Sequence, residues 1–416
     1  MISAGFVIIA LGVIAFTLVS KRLETTIVTP AIVFTVFGLL IGEAGLGIVD
    51  LGFGHTFVHT LAEITLVLVL FSDAARIELA GLKADHILPF RMLMVGMPVV
   101  IILGTIIALA LPLGLSLWGA ALLAAVLAPT DAALGQFVVT SPLVPQRIRQ
   151  TLNVESGLND GIALPIIVLF VGLLGFLDTG DEFQDWGWIT FKQLTLGPLV
   201  GALVGGAGAW AIDRATIKGW MSGAFQGAAI LGVALLAYVG ADYVGGNGFI
   251  AAFVCGAVFG NVVRGRCAFI FEFAEAEGQI LVLGTFLIFG AAILPEVAPH
   301  IEVVHIVYAL LSLAVLRPLA IGLSLIGCKL ELSTVLFLGW FGPRGLASLL
   351  FALFVVAELN IPETETVLAI AVAAVAISVL AHGLSAAPWA EWYGKRVAEM
   401  GTCEEKKTVP ELPLRV

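Results

Sequence analysis

Thirteen apolar stretches set the terms for this chain. At about 3–20, 27–46, 56–73, 91–112, 117–138, 149–176, 193–212, 222–241, 247–263, 279–294, 303–327, 333–357 and 365–388 the sequence reads as bilayer-crossing helices. The tenth is short, and the sixth carries four polar residues in its first half. Of 416 residues, 60% are hydrophobic and 12% charged, with mean hydropathy +1.09, against about 45–50% apolar and roughly 25% charged in a soluble domain. No soluble fold of this length hides so much apolar surface, so the expected class is an all-α polytopic membrane protein. The runs are continuous rather than alternating, which argues against a membrane β-barrel. A net charge of −10 excludes a nucleic-acid binder.

The loops orient the chain. Assigned alternately to two sides of a bilayer, they place 17 of the 20 basic residues on one side, from Lys21 and Arg22 through Lys83, Arg264 and Arg266 to Lys407 and Arg415. The other side holds Lys192 beside Asp178, Asp181, Glu182 and Asp185. Positive-inside bias makes the first side cytoplasmic, with the N-terminus outside and the C-terminus inside a cell (inner) membrane. Lys21 and Arg22 follow the first apolar run instead of preceding it, so that run reads as a retained span. The tail from 389 is short and charged, which disfavours an enzyme with a globular catalytic head. Cys255, Cys267, Cys328 and Cys403 have neither disulfide nor metal spacing and read as apolar filler. The acidic stretch 178–192, with Trp186 and Trp188, reads as interfacial.

Two spans are broken in their middles. The fifth carries Pro129, Thr130 and Asp131, the twelfth Gly342, Pro343, Arg344 and Gly345. Proline removes a helical hydrogen bond, and in lipid such a break survives only inside protein or along a watered cavity. The two spans are seven apart, so they run in opposite directions, the pattern that inverted repeats give a transporter's ion site. Broken ends offer free carbonyls to a cation and positive dipole ends to carboxylates.

A charge at mid-bilayer costs about 2.5–3.5 kcal/mol on insertion scales, yet Glu63, Asp131, Glu155, Asp160, Arg317 and Arg344 all fall inside spans. Four acids against two bases leave two carboxylates to be protonated or matched by a bound cation. In TLNVESGLNDGIALP, Ser156 and Asp160 share one helical stripe, Glu155 and Asn159 another. The first can offer a hydroxyl and a carboxylate to an ion. The second can hold structure, with Glu155 paired to Arg344 or Arg317 as fixed counter-charges. Glu63 reads as a third ion-site carboxylate or as an acid lining a watered funnel. Asp73, His59 and Glu43 lie near span ends and read as interfacial. His382, near the end of the last span, reads as solvated or packed ahead of a pH sensor. Gly197, Gly201 and Gly205 form a ridge for close packing, within the chain or at a dimer interface.

APTD (128–131), ESGLNDGIALP (155–165), GGNGFIAAFVCGAVFG (245–260) and GPRG (342–345) resemble the prokaryotic NhaP-type sodium/proton antiporters, the branch that includes the eukaryotic sodium/proton exchangers. The resemblance runs from Glu63 to about residue 388. It implies a homodimer of thirteen-span protomers, built of two inverted repeats with spans 5 and 12 unwound where they cross. Residues 1–86 and 193–296 would form a dimerisation domain, 87–177 and 300–388 an ion-transport bundle, and 389–416 a short cytoplasmic tail. It further implies that Na+ is held by the Thr130 carbonyl, Asp131, Ser156 and Asp160, with Glu63 reaching the site. Asn159 would tether the unwound helix, and Glu155 would pair with Arg344. An Asn-Asp pair at 159–160 implies electroneutral one-for-one exchange of Na+ (or Li+) with H+ and no cofactor. Potassium/proton exchange is the rival within that fold. A cation channel and an intramembrane hydrolase are lesser alternatives.

Overall fold

The computed structural model describes residues 2–23, 26–49, 56–77, 87–131, 134–179, 183–263, 280–359, 361–401 and 403–407. Lys83, Arg264, Arg266, Arg415, Cys267, Asp181 and Glu182 lie outside them, as do the side chains of His59, Asp178 and Asp185. The described residues are helical with no strand. In chain order the helices are α1 (Ile2–Leu23), α2 (Pro30–Ile41), α3 (Thr56–Arg76), α4 (Ile87–Ala110), α5 (Leu117–Val126), α6 (Gln136–Thr140), α7 (Gln146–Thr179) and α8 (Phe183–Ile217). They continue with α9 (Gly223–Tyr243), α10 (Gly248–Val263), α11 (Ile280–His300), α12 (Val303–Ser324), α13 (Leu332–Trp340), α14 (Leu346–Glu358) and α15 (Pro362–Glu399). Among the described residues eight helices are long and apolar enough to cross a membrane, and four more are shorter apolar helices. Each of the thirteen expected ranges holds a helix or, in two cases, a pair of half-helices. The chain is an integral membrane protein.

Local sequence explains several boundaries. Thr29 caps α2, its Oγ1 accepting from Ile32 N, with Pro30 in the first turn where a missing N–H costs nothing. Ser116 caps α5 in the same way through Gly119 N at 3.1 Å. In α4, α11 and α12 a π-turn (Met92–Gly96, Phe289–Ile293, Ser312–Leu316) ends two residues before a proline, Pro98, Pro295 and Pro318. Proline cannot donate to the ladder, and the wider turn absorbs the mismatch.

Glycines set the closest helix contacts. A Cβ on Gly197, Gly201 or Gly205 of α8 would run into the carbonyls of Asn247, Ala251 and Cys255, at and along α10. A Cβ on Gly256 or Gly260 of α10 would overlap the Phe71 and Ala75 carbonyls of α3. The ridge foreseen in α8 therefore packs within the chain, and α10 has a backbone pressed on it from either side.

Residues 403–407, beyond α15, fold back onto the helix ends. Glu405 Oε1 accepts from Glu331 N at 2.8 Å and Thr334 Oγ1 at 3.0 Å, at the start of α13. Arg147, in the first turn of α7, donates to the Glu404 carbonyl at 2.7 Å and carboxylate at 3.1 Å. Lys407 foremost, then Arg147, holds the Glu404 carboxyl below its usual value. Burial pushes Glu405 up, but the bonds donated by Glu331 N, its own amide, Cys403 and Thr334 outweigh it and leave it low. Both acids are depressed in the docked state, so docking is supported above the ordinary glutamate value of 4.5 and is lost as pH falls below it. Hydrogen exchange at the amides of 403–407 should show protection at neutral pH that is lost as pH falls below the ordinary glutamate range.

Candidate functional site

The two breaks meet. Helix stops after Val126 and after Trp340, and the non-helical segments 127–131 and 341–345 are joined by Asp131 N donating to Pro343 O at 2.8 Å. Each supplies the charge that the other's helix end lacks. Arg344 Nη1 donates to the Ala128 and Pro129 carbonyls, at 2.7 and 2.9 Å, beyond the C-terminus of α5. Asp131 Oδ2 accepts from Leu346 N at 3.0 Å, at the N-terminus of α14. A cation on freed carbonyls and a carboxylate on freed amides is the favourable arrangement for both dipoles. Arg344 is 0% exposed, and the two carbonyls are the partners of its Nη1.

The same contacts explain the glycines of GPRG. A Cβ on Gly345 would overlap the Asp131 carboxylate, and one on Gly342 the Arg317 guanidinium. Gly345→Ala is therefore expected to lower stability by about 1–3 kcal/mol, the usual cost of overpacking, read as an earlier thermal unfolding transition in detergent.

Helix α7 brings its two stripes to the first break. Ser156 Oγ donates to the Thr130 carbonyl at 2.7 Å, and Asn159 Nδ2 to Thr130 Oγ1 at 2.7 Å. Thr130 Oγ1 donates in turn to Glu155 Oε2 at 3.3 Å. Asp160 lies one turn beyond Ser156 and is 4% exposed. A cavity of about 10 Å³, lined by Thr130, Asp131, Ser156, Leu152, Phe341 and Pro343 among others, sits against the break. That is room for about one water-sized body. Asp160 is not among its lining residues.

Three expectations need correction. The resemblance implies Glu155 paired with Arg344; the structure pairs it with Arg317 of α12, Nη1 to Oε1 and Nη2 to Oε2, both at 3.0 Å. Arg344 is occupied by the carbonyls that the first break leaves without amide donors. Glu63 is exposed and lines a separate cavity of about 180 Å³ with Asp242, Glu358, Tyr238 and Asn247, which Thr130, Asp131, Ser156 and Asp160 do not line. Asp73, read as interfacial, is 6% exposed, and its carbonyl lies 4.0 Å from where a Gly157 Cβ would stand. Position 157 follows Ser156 directly, so the main chain of α3 at Asp73 passes close to α7 beside the ESGLND stretch. The sequence holds a signal for it: Ala74 and Ala75 are small, and Gly256 and Gly260 face that segment.

His382 is neither solvated nor at a helix end. It is 1% exposed, and α15 continues to Glu399.

These features define a polytopic helical membrane protein with a buried charged centre where two broken helices meet. The chain belongs to the sodium/hydrogen exchanger family: the profile described as "Sodium/hydrogen exchanger, transmembrane" matches residues 6–392. It is 28% identical over 387 residues to the K(+)/H(+) antiporter NhaP of Alkalimonas amylolytica, covering 91% of this chain and 64% of that protein. It is 24% identical over 386 residues to the K(+)/H(+) antiporter NhaP2 of Shewanella baltica (strain OS223), covering 92% and 66%. The chain thus spans just under two thirds of the length of these curated relatives. Its fold is that of the sodium proton antiporter MjNhaP1 from Methanocaldococcus jannaschii, with TM-score 0.75 and 20% identity over 92% of this chain and 99% of that one. The NhaP-type resemblance is borne out.

Proposed function

We propose that this chain is a secondary transporter that exchanges a monovalent cation for protons by alternating access, electroneutrally and without a cofactor. One observation carries the reading. Asp131, Glu155 and Asp160 are buried together with Arg317 and Arg344 in the helices that form the breaks and pack on them, and Asp73 is buried on α3. A buried carboxyl can be neutralised by a proton or by a dehydrated cation, and competition between them is all that exchange requires. The ion shell comprises Asp160, Ser156, the Thr130 carbonyl and Asp131, with Asp73 as the further acid. Asn159, Glu155, Arg317 and Arg344 hold it in shape.

The architecture follows the same reading. Thirteen spans in two inverted repeats are supported by the correspondence of α4 with α12 and of α5–α6 with α13–α14. Each pair lies seven spans apart and shares, respectively, a π-turn before proline and a mid-span break. The chain works as a homodimer in the cell membrane, with its C-terminus cytoplasmic. The segments 1–86 and 193–296 form the dimerisation part, and 87–177 and 300–388 the moving bundle.

We read the cation as Na+, with Li+ accepted. K+ is the second reading, favoured by the names of the relatives at 24–28% identity. Proteoliposomes with an internal pH dye separate the two, comparing Na+, Li+ and K+ with and without an imposed voltage. Sodium- and lithium-driven proton movement that ignores voltage is expected. A dominant potassium response selects the second reading, and no coupled flux with any cation overturns both. In the same assay Asp73→Asn should raise the apparent KM for the cation, and Glu63→Gln should leave it unchanged.

A further inference from the structure

We propose that His382 and Ser378 of α15 form a positioning clamp that fixes the non-helical segment 341–345 and, through it, the ion site. The kinetic part of this inference rests on the antiport reading; the geometry does not. His382 lies against the Trp340 ring, with centroids 4.9 Å apart. Its Nε2 is 3.0 Å from the Trp340 carbonyl. A carbonyl can only accept, so Nε2 carries the proton. Nδ1, 3.0 Å from Ser378 Oγ, then accepts from that hydroxyl. Nδ1 also lies 3.1 Å from Ser378 O, but a neutral ring protonated there would turn the Nε2 lone pair onto the Trp340 carbonyl. Ser378 Oγ in turn accepts from Arg344 N at 2.8 Å.

The result is a directed chain: Arg344 N–H to Ser378 Oγ–H to His382 Nδ1, and His382 Nε2–H to Trp340 O. Both of its ends are main-chain groups of the break. Trp340 closes α13, and Arg344 stands two residues before α14. A helix broken inside a membrane must find partners for the backbone groups it frees, and α15 supplies two of them from one turn. Gly342 N, at 2.8 Å, is the other donor to the Trp340 carbonyl. What the clamp holds bears on the ion. Pro343 O receives Asp131 N, Leu346 N donates to Asp131, and Arg344 grips the carbonyls of Ala128 and Pro129, which precede Thr130. Displacement of 341–345 therefore moves the Asp131 carboxyl and the Thr130 carbonyl together. A histidine that merely filled space would need bulk and no directed bonds.

Three variants separate the two roles. His382→Leu keeps bulk and loses both ring bonds; His382→Gln keeps an N–H donor at the Nε2 position; Ser378→Ala removes one oxygen. In reconstituted exchange, the Leu and Ala variants should raise the KM for the cation about tenfold, the scale of one lost buried hydrogen bond, with a smaller change in maximal rate. The Gln variant should recover most of the Leu loss. Hydrogen exchange at the Arg344 amide should quicken in the Leu and Ala variants. Unchanged KM and amide exchange in folded protein, or a Gln variant no better than Leu, would overturn the clamp. If His382→Leu does not accumulate, Ser378→Ala against the native chain decides. If the native chain shows no coupled exchange, the antiport reading falls, and amide exchange alone judges the clamp.

Discussion

Asp160→Asn is expected to leave a folded protein whose vesicles show no cation-coupled proton movement above that of protein-free vesicles. Asparagine matches aspartate in shape and hydrogen-bonding reach, but it neither takes up nor releases a proton and adds no charge to hold a cation. Loaded with a proton or a cation, the native site is compensated and can cross. Empty and ionised, it carries a charge that resists burial. The amide ends that alternation by being neutral throughout. Asp160→Glu keeps a titratable carboxyl and should retain measurable exchange at higher cation concentration. Thermal unfolding and size-exclusion profiles matching the native protein would show that the loss lies in the site. Native-rate exchange in the Asn variant would remove Asp160 from the role assigned to it.

The second large effect concerns the Arg317–Glu155 pair. Both side chains are enclosed, at 2% and 5% exposure, and joined by two parallel bonds. Removing one member of a buried pair strands the other charge, at a cost of about 3–5 kcal/mol. Glu155→Leu or Arg317→Met should each lower the unfolding transition sharply. The double variant should recover a large part of that loss, because no charge is left unmatched. A double-mutant cycle distinguishes the partners. Coupling of Glu155 to Arg317 should exceed its coupling to Arg344, and the reverse order would restore the pairing that the resemblance implies.

Hydropathy and loop charge revealed the helical class, and the prolines at 129 and 343 marked the breaks. The i,i+4 spacings in ESGLND marked two stripes, and Ser156 from one and Glu155 and Asn159 from the other meet Thr130. What stayed hidden depended on how deep a residue sits in the packed protein, which hydropathy does not report. Asp73 lies three residues before the end of α3, beside Arg76, where linear reading expects water. Packing against α10 and α7 places it indoors. Glu63 sits amid apolar neighbours in sequence yet faces a cavity. The choice between Arg317 and Arg344 needed the positions of the Ala128 and Pro129 carbonyls, which only the folded break exposes. Of the two readings of His382 the packed one holds, and the helix that carries it runs on to Glu399, beyond the end of the apolar stretch near residue 388.

The glycine contacts of α10 have a mechanical consequence. With α8 seated on one side and α3 on the other, both at backbone distance, these three helices have almost no compressible side-chain layer between them. Such a slab resists shear and bending more than helices separated by leucines and phenylalanines do. Any motion that opens the charged centre first to one face and then to the other must therefore leave the slab undeformed. The travel falls instead on the thicker, softer side-chain contacts around it. On the proposed alternating-access reading, α3, α8 and α10 form the part that stays fixed while the other helices move.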